Sequence, residues 1–337
     1  MNIFITGATG YIGANLVSRL AASGENIHIL CRSKSKVSLL NHSNFKIFKG
    51  DILNTESIEN AMQSCEYVYH LAAYGKVWSK DPQNYFDVNV QGTKNILDAA
   101  IKLGVKKVVV TSTAGVFEPS NGISVNEESI RTVDFFNEYE RSKYIAEEAI
   151  QHYINKGLNV VIVNPSRVYG QGLMSESNSV SKLIDRYLKG KWHLIPGNGD
   201  TIGNYAFIDD VVNGHILAMN KGLTGQKYIL GGVNVSYNEF FDTLIKVSQK
   251  KYKLYKTPLS LMLAFARVQE LLAVSFNRQP LITPKWVKRY LCNRALSSQK
   301  AERELGYEIT PLEEGMEKTI KWLQPDSVER LNGTNGQ

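Results

Sequence analysis

The sequence predicts an α/β fold with a doubly wound parallel sheet, and three observations support this. Short apolar, β-branched runs recur along residues 1–232, the clearest of them from Val105 to Thr111, as is typical of strands covered on both faces. Helical patterns, with apolar residues every three or four positions, separate these runs. A glycine-rich turn follows the first run. Strands that alternate with helices imply right-handed crossovers and a parallel sheet.

The glycine turn joins a predicted strand, Asn2 to Thr6, to a predicted helix, and it carries Gly7, Gly10 and Gly13. Glycine adopts backbone angles that a Cβ forbids, and it lets a diphosphate touch the main chain. The free N–H groups at the helix start then attract an anion. A purely structural turn is the alternative. The order of strand, turn and helix favours a pyrophosphate site for a dinucleotide. Its candidate residues are Gly7, Thr9, Gly10, Tyr11 and Ile12.

The same patterns place the other elements of the fold. The further predicted strands are Asn26 to Cys31, Phe45 to Phe48, Glu66 to Leu71, Val105 to Thr111, Leu158 to Val163 and Lys227 to Leu230. Predicted helices begin near Thr55 and cover Pro82 to Leu103, Asn137 to Ile154, Leu183 to Leu188 and Asp209 to Met219. We expect a Rossmann-type dinucleotide-binding domain in 1–166, with 204–232 returning to it. A smaller, mostly helical substrate-binding region is expected in 167–203 and 233–325, and a polar, disordered tail in 326–337.

The end of the second strand indicates which dinucleotide binds. A free ribose 2′-hydroxyl usually meets an acidic residue about 20 positions after such a turn. No Asp or Glu lies between Asn26 and Gly50. Arg32, with Ser33 and Lys34 beside it, is suited to grip a 2′-phosphate instead. A solvated loop arginine is the alternative. We therefore expect NADP(H) to be favoured over NAD(H).

Two later strand ends carry further candidate cofactor contacts. Asp51, followed by Ile52, comes just after the third strand and either accepts a hydrogen bond from an adenine amino group or caps the next helix. The small side chains of Leu71-Ala72-Ala73 let the cofactor backbone approach the fourth strand. His70 lies in an apolar run, and a structural role is favoured over a catalytic one.

A tyrosine and a lysine, Tyr139 and Lys143, lie four positions apart on one predicted helix face. The same spacing recurs at Tyr187 and Tyr252, so the pattern alone is weak. Context favours Tyr139, because its helix follows the strand that ends in Ser112 and Thr113. The pKa of a free tyrosine is about 10, and a neighbouring lysine cation favours the phenolate and lowers that value. An amphipathic helix with a solvated lysine is the alternative.

These groups suit the reduction of a carbonyl or the reverse oxidation. Tyr139 would act as general acid or base toward a substrate oxygen, and Thr113 would donate a hydrogen bond to the same oxygen. Lys143 could also bind the ribose hydroxyls next to the nicotinamide. The sequence thus predicts an enzyme that transfers hydride to or from a small-molecule carbonyl or alcohol.

Composition narrows the functional class further. The net charge of +7 is spread without a basic run interleaved with aromatic residues, which disfavours nucleic acid as a partner. The three cysteines are far apart and odd in number, which favours a reducing, cytoplasmic location and no metal site. The N-terminus lacks the pattern of a signal peptide. The apolar stretch from Pro258 to Phe276 contains Arg267, Gln269 and Glu270, so we expect no stable membrane insertion.

Several of these stretches resemble one known family. They are Thr6 to Gly13, His70 to Ala73, Asn89 to Thr93, Tyr139 to Lys143 and Asn164 to Gly170. Together they resemble extended short-chain dehydrogenase/reductases, the NAD-dependent epimerase/dehydratase family, and most closely its dihydroflavonol 4-reductase-like and 3β-hydroxysteroid dehydrogenase-like branch. The likeness continues to Glu304-Leu305-Gly306-Tyr307 near the C-terminus.

The resemblance implies roles for particular residues. It makes Thr113, Tyr139 and Lys143 the catalytic triad, with Ser112 as the fallback for Thr113. It also places Asn164 to Val168 against the nicotinamide, and members often dimerise through the helices predicted at Pro82 to Leu103 and Asn137 to Ile154. The cofactor contacts implied on these strand ends are Thr111, Lys143, Asn164, Pro165 and Val168.

One departure from the family pattern bears on the substrate. Sugar-nucleotide members carry Arg-Asp where this chain has Gly203-Asn204, and a diphosphate without a nearby cation is poorly held. Arg167 or Arg186 could substitute. The stretch from Leu259 to Phe276 is compatible with an apolar pocket, or with an ordinary core or dimer helix. We expect an NADP(H)-dependent reductase of a mid-sized, partly apolar ketone or aldehyde. The alternatives are an NAD-dependent sugar-nucleotide epimerase or dehydratase and a cofactor-sensing binding protein.

Overall fold

The computed structural model describes residues 1–33, 45–276 and 278–324. The strands are β1 Asn2–Thr6, β2 Asn26–Cys31, β3 Phe45–Lys49, β4 Tyr67–His70, β5 Lys107–Thr111, β6 Val160–Pro165, β7 Arg167–Tyr169, β8 Leu194–Pro196, β9 Ile202–Phe207, β10 Lys227–Leu230, β11 Val233–Ser236 and β12 Tyr255–Thr257. The helices are α1 Tyr11–Ala22, α2 Thr55–Met62, α3 Gln83–Phe86, α4 Gly92–Lys102, α5 Glu138–Asn155, α6 Ser179–Leu188, α7 Ile208–Lys221, α8 Tyr237–Ser248, α9 Leu259–Phe276, α10 Pro284–Tyr290, α11 Gln299–Leu305 and α12 Leu312–Leu323.

A seven-stranded parallel sheet in the order β10-β6-β5-β4-β1-β2-β3 forms the centre of the protein. The predicted doubly wound fold is therefore confirmed, and β10 returns to the sheet as expected. The chain begins at β1, moves outward through β2 and β3, and then crosses to β4 on the other side of β1. Such a reversal opens a crevice at the carboxyl ends of the strands, where ligands of these sheets bind.

Helices cover both faces of the sheet and divide its apolar residues into two clusters. One cluster joins α2, α4 and the end of α5 to the sheet, through residues such as Ile58, Ile96 and Ile150. The other joins α1 and α7 to the sheet and continues into α8 and α12, through Phe241 and Met316. The C-terminal region thus packs on the same buried layer as α1 and α7. The domain division stated above stays a prediction, and the predicted tail at 326–337 lies outside the described residues.

The structure differs from the prediction in two places. The single helix predicted at Pro82 to Leu103 is α3 and α4 joined by a π-helical turn, Asp87–Gln91, which surrounds the buried Asn89. Such wide turns commonly occur at functional sites. The region beyond the sheet also contains two small sheets, β11-β9-β7 and β12-β8. The strands β7, β8 and β12 have three residues each, too short for periodicity to identify. The strands β9 and β11 have six and four residues, but polar residues or glycine interrupt their apolar runs.

The helix α9 is poorly covered by the rest of the protein. Of its 18 residues only Ala266 and Ala273 are buried, so the alternative of an ordinary core helix is wrong, while the pocket and dimer alternatives stay open. It is the one helix among the described residues that is long and apolar enough to cross a membrane by length and composition, and this alone is weak evidence. The expectation of no stable membrane insertion stays a prediction.

Candidate active site

The glycine turn after β1 has the shape that a diphosphate requires. Gly7 has a φ of +75°, and a Cβ there would lie 2.6 Å from the Ala72 nitrogen on β4's exit. A Cβ on Gly13 would lie 2.2 Å from the Gly7 oxygen, so glycine lets α1 approach the turn. Helix α1 begins after Gly10 without a side-chain cap, which leaves its first N–H groups available to an anion. This cradle fits the predicted dinucleotide.

The residues of the turn take different parts in it. Tyr11 is the first residue of α1, and its ring is buried in the core. Its backbone therefore faces the turn. Thr9 and Ile12 are half-exposed there. Leu71 and Ala72 are half-exposed across from the turn, and the Ala72 N–H donates to the Thr6 hydroxyl at 3.3 Å. The structure therefore brings together the predicted contacts on β1 and β4, with the exposed Ala73 next along the chain.

A line of hydrogen bonds leads from this turn to the helix that carries Tyr139. The Nδ1 atom of His70 lies 2.7 Å from the Thr6 hydroxyl, and its Nε2 atom lies 3.0 Å from the Thr93 hydroxyl. The Thr93 hydroxyl donates to the Asn89 carbonyl. The Asn89 amide donates to the Ser142 hydroxyl, which donates to the Tyr139 carbonyl. Burial, with a smaller effect of Lys143, lowers the pKa of His70 to about 3, so the ring is neutral. The structural interpretation of His70 is confirmed.

At the expected adenine end, the structure settles one of two alternatives. Asn54, not Asp51, caps α2, because its side chain accepts from the Ser57 N–H. Asp51 accepts from the Leu53 N–H, and its adenine contact stays a prediction. Ile52 is buried against Gly92, where a Cβ would lie 2.5 Å from the Ile52 Cδ1.

Arg32 is exposed at the carboxyl end of β2, next to the glycine turn on β1. That position leaves its guanidinium open to a 2′-phosphate. Of the two residues expected to assist it, Ser33 is exposed and Lys34 lies outside the described residues.

The three predicted catalytic side chains converge at the carboxyl edge of the sheet. Helix α5 starts after Asn137, whose side chain accepts from the Glu140 N–H, and so presents Tyr139 and Lys143 in its first two turns. The Thr113 hydroxyl lies close enough to the Tyr139 phenol to lower the pKa of that phenol. Lys143 is buried and donates to the Thr111 carbonyl at 2.9 Å. The hydroxyl of Ser112 is also buried here, without a partner, so Ser112 stays the fallback for Thr113.

The acid–base balance of the site differs from the expectation. Burial raises the pKa of the Tyr139 phenol, and Arg289 and the Thr113 hydrogen bond offset only part of that rise. The lowering expected from Lys143 is not found, and Arg289 is the cation that acts on the phenol. Burial lowers the pKa of Lys143 itself to about 8, against an opposing effect of Glu147. Tyr139 therefore holds its proton at neutral pH in the protein alone.

The ends of β6 and β7 bring further predicted contacts to the same edge. The Asn164 amide donates to the Thr113 carbonyl at 3.2 Å and to Glu147 at 2.7 Å. Pro165 ends β6 and Val168 is buried in β7. Several polar atoms here are buried without a partner, namely Ser112 Oγ, Asn164 Oδ1 and Ser166 Oγ. Buried polar groups are normally satisfied, so these atoms fit a ligand with both donors and acceptors, as the nicotinamide carboxamide has.

Sequence reasoning missed the buried ion group that anchors α5. Glu140 is fully buried and accepts from Arg289 Nε at 2.5 Å and from Arg294 Nη2 at 3.2 Å. These partners are 149 and 154 positions away along the chain, so no local pattern signals them. The group fixes the first turn of α5 against α10 and the chain after it. It also brings the Arg289 cation close enough to affect Tyr139.

Arg167 occupies the place where the family pattern has a different arginine. Its Nη1 lies 3.3 Å from the Tyr205 hydroxyl and 3.2 Å from the Tyr237 hydroxyl, and its Nη2 is buried without a partner. Rings of Tyr205, Tyr237 and Tyr290 lie 5.5–5.6 Å from its guanidinium carbon. A Cβ on Gly203 would lie 2.6 Å from Arg167 Nη1, so Arg167 fills the space beside position 203.

Two other residues were named with this departure from the family pattern, Asn204 and Arg186. The buried Asn204 bonds the Gly232 backbone and the Asn234 side chain, which holds β9 against β11. Arg186 is exposed on α6.

Comparisons with known proteins show the family of this chain. The model of the NAD dependent epimerase/dehydratase family matches residues 3–231. A Synechocystis sp. protein that bears the provisional name dihydroflavonol 4-reductase is 31% identical over 327 residues, which are 95% of this chain and 94% of that protein. Sterol demethylase protein B of Methylococcus capsulatus is 29% identical over 96% of this chain and 98% of its own length.

A solved structure gives the same answer for the fold. UDP-glucose 4-epimerase of Thermotoga maritima, solved with UDP-glucose, superposes with a TM-score of 0.80 at 25% identity, over 96% of this chain and 99% of that one. Fold, glycine cradle and family match coincide on the same residues. The chain therefore belongs to the NAD dependent epimerase/dehydratase family and is an NAD(P)-dependent enzyme of the extended short-chain dehydrogenase/reductase type.

Proposed function

We propose that the protein is an NADP(H)-dependent oxidoreductase that reduces a ketone or aldehyde, or oxidises the corresponding alcohol, on a mid-sized and partly apolar substrate. One observation carries this proposal. The Thr113 hydroxyl and the Tyr139 phenol lie together at the carboxyl edge of the sheet, beside a buried Lys143 held by the Thr111 carbonyl. Two adjacent hydroxyl groups can bind one carbonyl oxygen, and one of them can give it a proton.

The residues of the chain account for the proton in this reaction. The cofactor, when bound, supplies the hydride that goes to the carbonyl carbon. Thr113 donates a hydrogen bond to the substrate oxygen, and Tyr139 transfers its phenolic proton to that oxygen, so that C=O becomes CH–OH. Because burial raises the pKa of Tyr139, the phenol is protonated and ready for this direction at neutral pH. Lys143, with its pKa lowered to about 8, is charged at neutral pH and would bind the ribose hydroxyls of the cofactor, whereas Arg289 is the cation that favours the phenolate that remains.

The preference for NADP(H) is supported by Arg32. The side chain is exposed at the end of β2, where an acidic residue would serve a free 2′-hydroxyl. Arg32→Asp should lower kcat/KM with NADPH about tenfold or more and move the preference toward NADH, because one cation contact to the phosphate is lost. Arg303→Asp, at an exposed arginine on α11, is the matched control. An unchanged preference in Arg32→Asp would remove this role.

A partly apolar substrate is supported by the named relatives. One of them is named sterol demethylase protein B. Another, a 3beta-hydroxysteroid-dehydrogenase/decarboxylase of Arabidopsis thaliana, is 28% identical to this protein over 98% of this chain. The replacement of Arg-Asp by Gly203-Asn204 removes the arginine of the family pattern, but the Arg167 guanidinium fills the space beside position 203, so the choice of a partly apolar substrate rests on the relatives. A panel of cyclic and aliphatic ketones, followed by loss of the reduced nicotinamide absorbance with both cofactors, tests this choice.

The second candidate is an NAD-dependent sugar-nucleotide epimerase or dehydratase, favoured by the similarity to UDP-glucose 4-epimerase. The two functions differ in cofactor turnover. An epimerase retains NAD⁺ through purification and shows no net consumption, whereas the proposed reductase consumes one NADPH for each carbonyl reduced. Retained NAD⁺ together with conversion of a UDP-sugar, and no ketone-dependent oxidation of NADPH, would establish the second function instead.

Pairing into a homodimer through α4 and α5 stays a prediction, which light scattering of the purified protein tests.

A further inference from the structure

Helix α9 turns its large apolar side chains away from the protein. Small residues, Ala266 and Ala273, form its buried positions, whereas the polar Gln269 and Glu270 are less exposed than the leucines that follow them. Five large side chains recur every three or four positions and are between 44% and 66% exposed. They are Leu261, Phe265, Val268, Leu272 and Phe276, and they form the apolar stripe. Contiguous apolar surface of this kind marks an interaction site.

The charges around the apolar stripe are almost all positive. From Lys250 to Lys288 the chain has eight Lys and Arg and a single acidic residue, Glu270, whereas all the rest of the chain has 31 of each sign. The excess of positive charge is therefore concentrated in this segment, and the expectation of an evenly spread charge is wrong. Lys251, Lys253 and Lys256 are exposed just before α9, and Arg278 is exposed just after it. These four residues form the basic collar.

Both ends of α9 are anchored in the folded body, so they lie on the same side of any surface that the helix contacts. Before it, β12 pairs with β8, and Tyr255 aligns with Leu194. After it, the Trp286 indole donates to the Val77 carbonyl at 2.9 Å, and Arg289 bonds the buried Glu140. A helix whose two ends return to the same folded body cannot cross a bilayer. It can lie in the plane of an interface, with its apolar side in the acyl region and its cations at the headgroups.

We propose that the apolar stripe and the basic collar dock the protein on an anionic lipid bilayer. Apolar side chains enter the lipid, the basic collar meets the negative headgroups, and the exposed Tyr255 lies beside Lys253 at the level where tyrosines favour the interface. A second copy of the chain fits less well. Two-fold pairing through the apolar stripe would bring the same positive segment against itself.

This arrangement joins the lipid surface to the active site through one short segment. Helix α10 follows α9 and carries Arg289, which bonds the residue next to Tyr139, and Tyr290, whose ring faces Arg167. If the proposed reductase function holds, an apolar substrate dissolved in the bilayer would reach the pocket directly. This last point rests on the proposed function, whereas docking itself does not require turnover.

The test is flotation of the full chain with vesicles made of equal parts of phosphatidylglycerol and phosphatidylcholine. We expect the protein to float with them and to bind at least tenfold more weakly to pure phosphatidylcholine vesicles or in high salt. The double variant Phe265→Asp/Leu272→Asp should lose at least tenfold in binding. Its matched control is Ile123→Asp/Leu223→Asp, which adds the same charges at two exposed apolar residues elsewhere and should bind as the parent does.

A second variant, Lys251→Glu/Lys253→Glu, leaves the apolar stripe intact and should also lose at least tenfold, so the test survives if the first variant does not fold. The proposal is overturned if the parent protein does not float, or if the control loses as much binding as the stripe variant. It is also overturned if the parent is a dimer without lipid and the stripe variant is a monomer, because the stripe would then be a self-interface. Ketone reduction is measured separately, so failure of docking and failure of the reductase assignment can be told apart.

Discussion

The helices α5 and α9 are both 18 residues long, and each contradicts the usual distribution of polar and apolar side chains. Helix α5 buries Glu140, Lys143 and Glu147, whereas α9 exposes phenylalanine, leucine and valine. Buried charges in α5 are paired or hydrogen-bonded, as burial of charge requires. Exposed apolar residues in α9 have no partner within the described chain. The first departure indicates chemistry inside the protein, and the second indicates a contact outside it.

The largest effect is expected from removal of the proton that α5 provides. Tyr139→Phe should lower kcat about 100- to 10,000-fold, the usual contribution of a general acid, while NADPH binding persists. Steady-state kinetics and cofactor fluorescence measure the two properties. Tyr144→Phe removes a hydroxyl from the same helix without touching Thr113 and should retain activity. A protein that only senses the cofactor would instead bind NADPH without ketone-dependent turnover, and Tyr139→Phe would leave that binding intact.

The buried carboxylate of α5 should matter for stability rather than for proton transfer. Glu140→Gln leaves Arg289 and Arg294 buried without their counter-charge, which should lower the free energy of unfolding by about 3 kcal/mol. Denaturant unfolding measures this value. A loss below about 1 kcal/mol would mean that the two arginines find solvent or another partner.

The pH dependence distinguishes the lysine of α5 from an ordinary surface lysine. Burial lowers the pKa of Lys143 from 10.5 to about 8, so its ammonium is lost as pH rises through that value. The rate of carbonyl reduction, which needs the cation, should therefore be highest below pH 8 and fall above it. Lys143→Met should be slower throughout and should lack this decline. A decline at the same pH in the variant would assign it to another group.

The smallest effect should come from the exposed face of α9. Leu271→Gln should change the free energy of unfolding by less than about 0.5 kcal/mol, because the side chain is already in solvent. Ala266→Asp, on the buried face of the same helix, places an unpaired carboxylate inside and should cost several times more. Equal costs measured by thermal unfolding would mean that the outer face of α9 is covered in solution.

The parts of this molecule that were predictable from sequence are those fixed by neighbouring residues. The strands of the main sheet and the glycine turn at Gly7 follow from short runs of apolar residues and from the backbone freedom of glycine. The convergence of Thr113 and Tyr139 follows from their places after the same strand, β5. The Glu140 ion group was not predictable, because Arg289 and Arg294 come from a distant part of the chain.

Other failures have equally definite causes. The sign of the Tyr139 pKa shift was wrong because spacing reveals a lysine one turn away but not the burial of the phenol, which raises its pKa, nor the distant Arg289, which opposes that rise in place of the lysine. The π-helical turn at Asn89 depends on a side chain that bonds the Tyr74 backbone, a tertiary contact. The outward orientation of α9 was hidden because an apolar helical pattern does not specify what its face meets.

The hydrogen bonds that run from Thr6 through His70 to Tyr139 have a direction. The Thr93 hydroxyl gives its hydrogen to Asn89, so the imidazole must supply one to Thr93 and take one from Thr6. Only a single tautomer of the ring satisfies this order, and a doubly protonated ring would set two donors against each other at Thr6. The glycine turn and the helix that carries Tyr139 are thus joined by hydrogen bonds that all donate in the same direction. Protonation of His70 would have to turn the Thr6 hydroxyl around before this chain could form again.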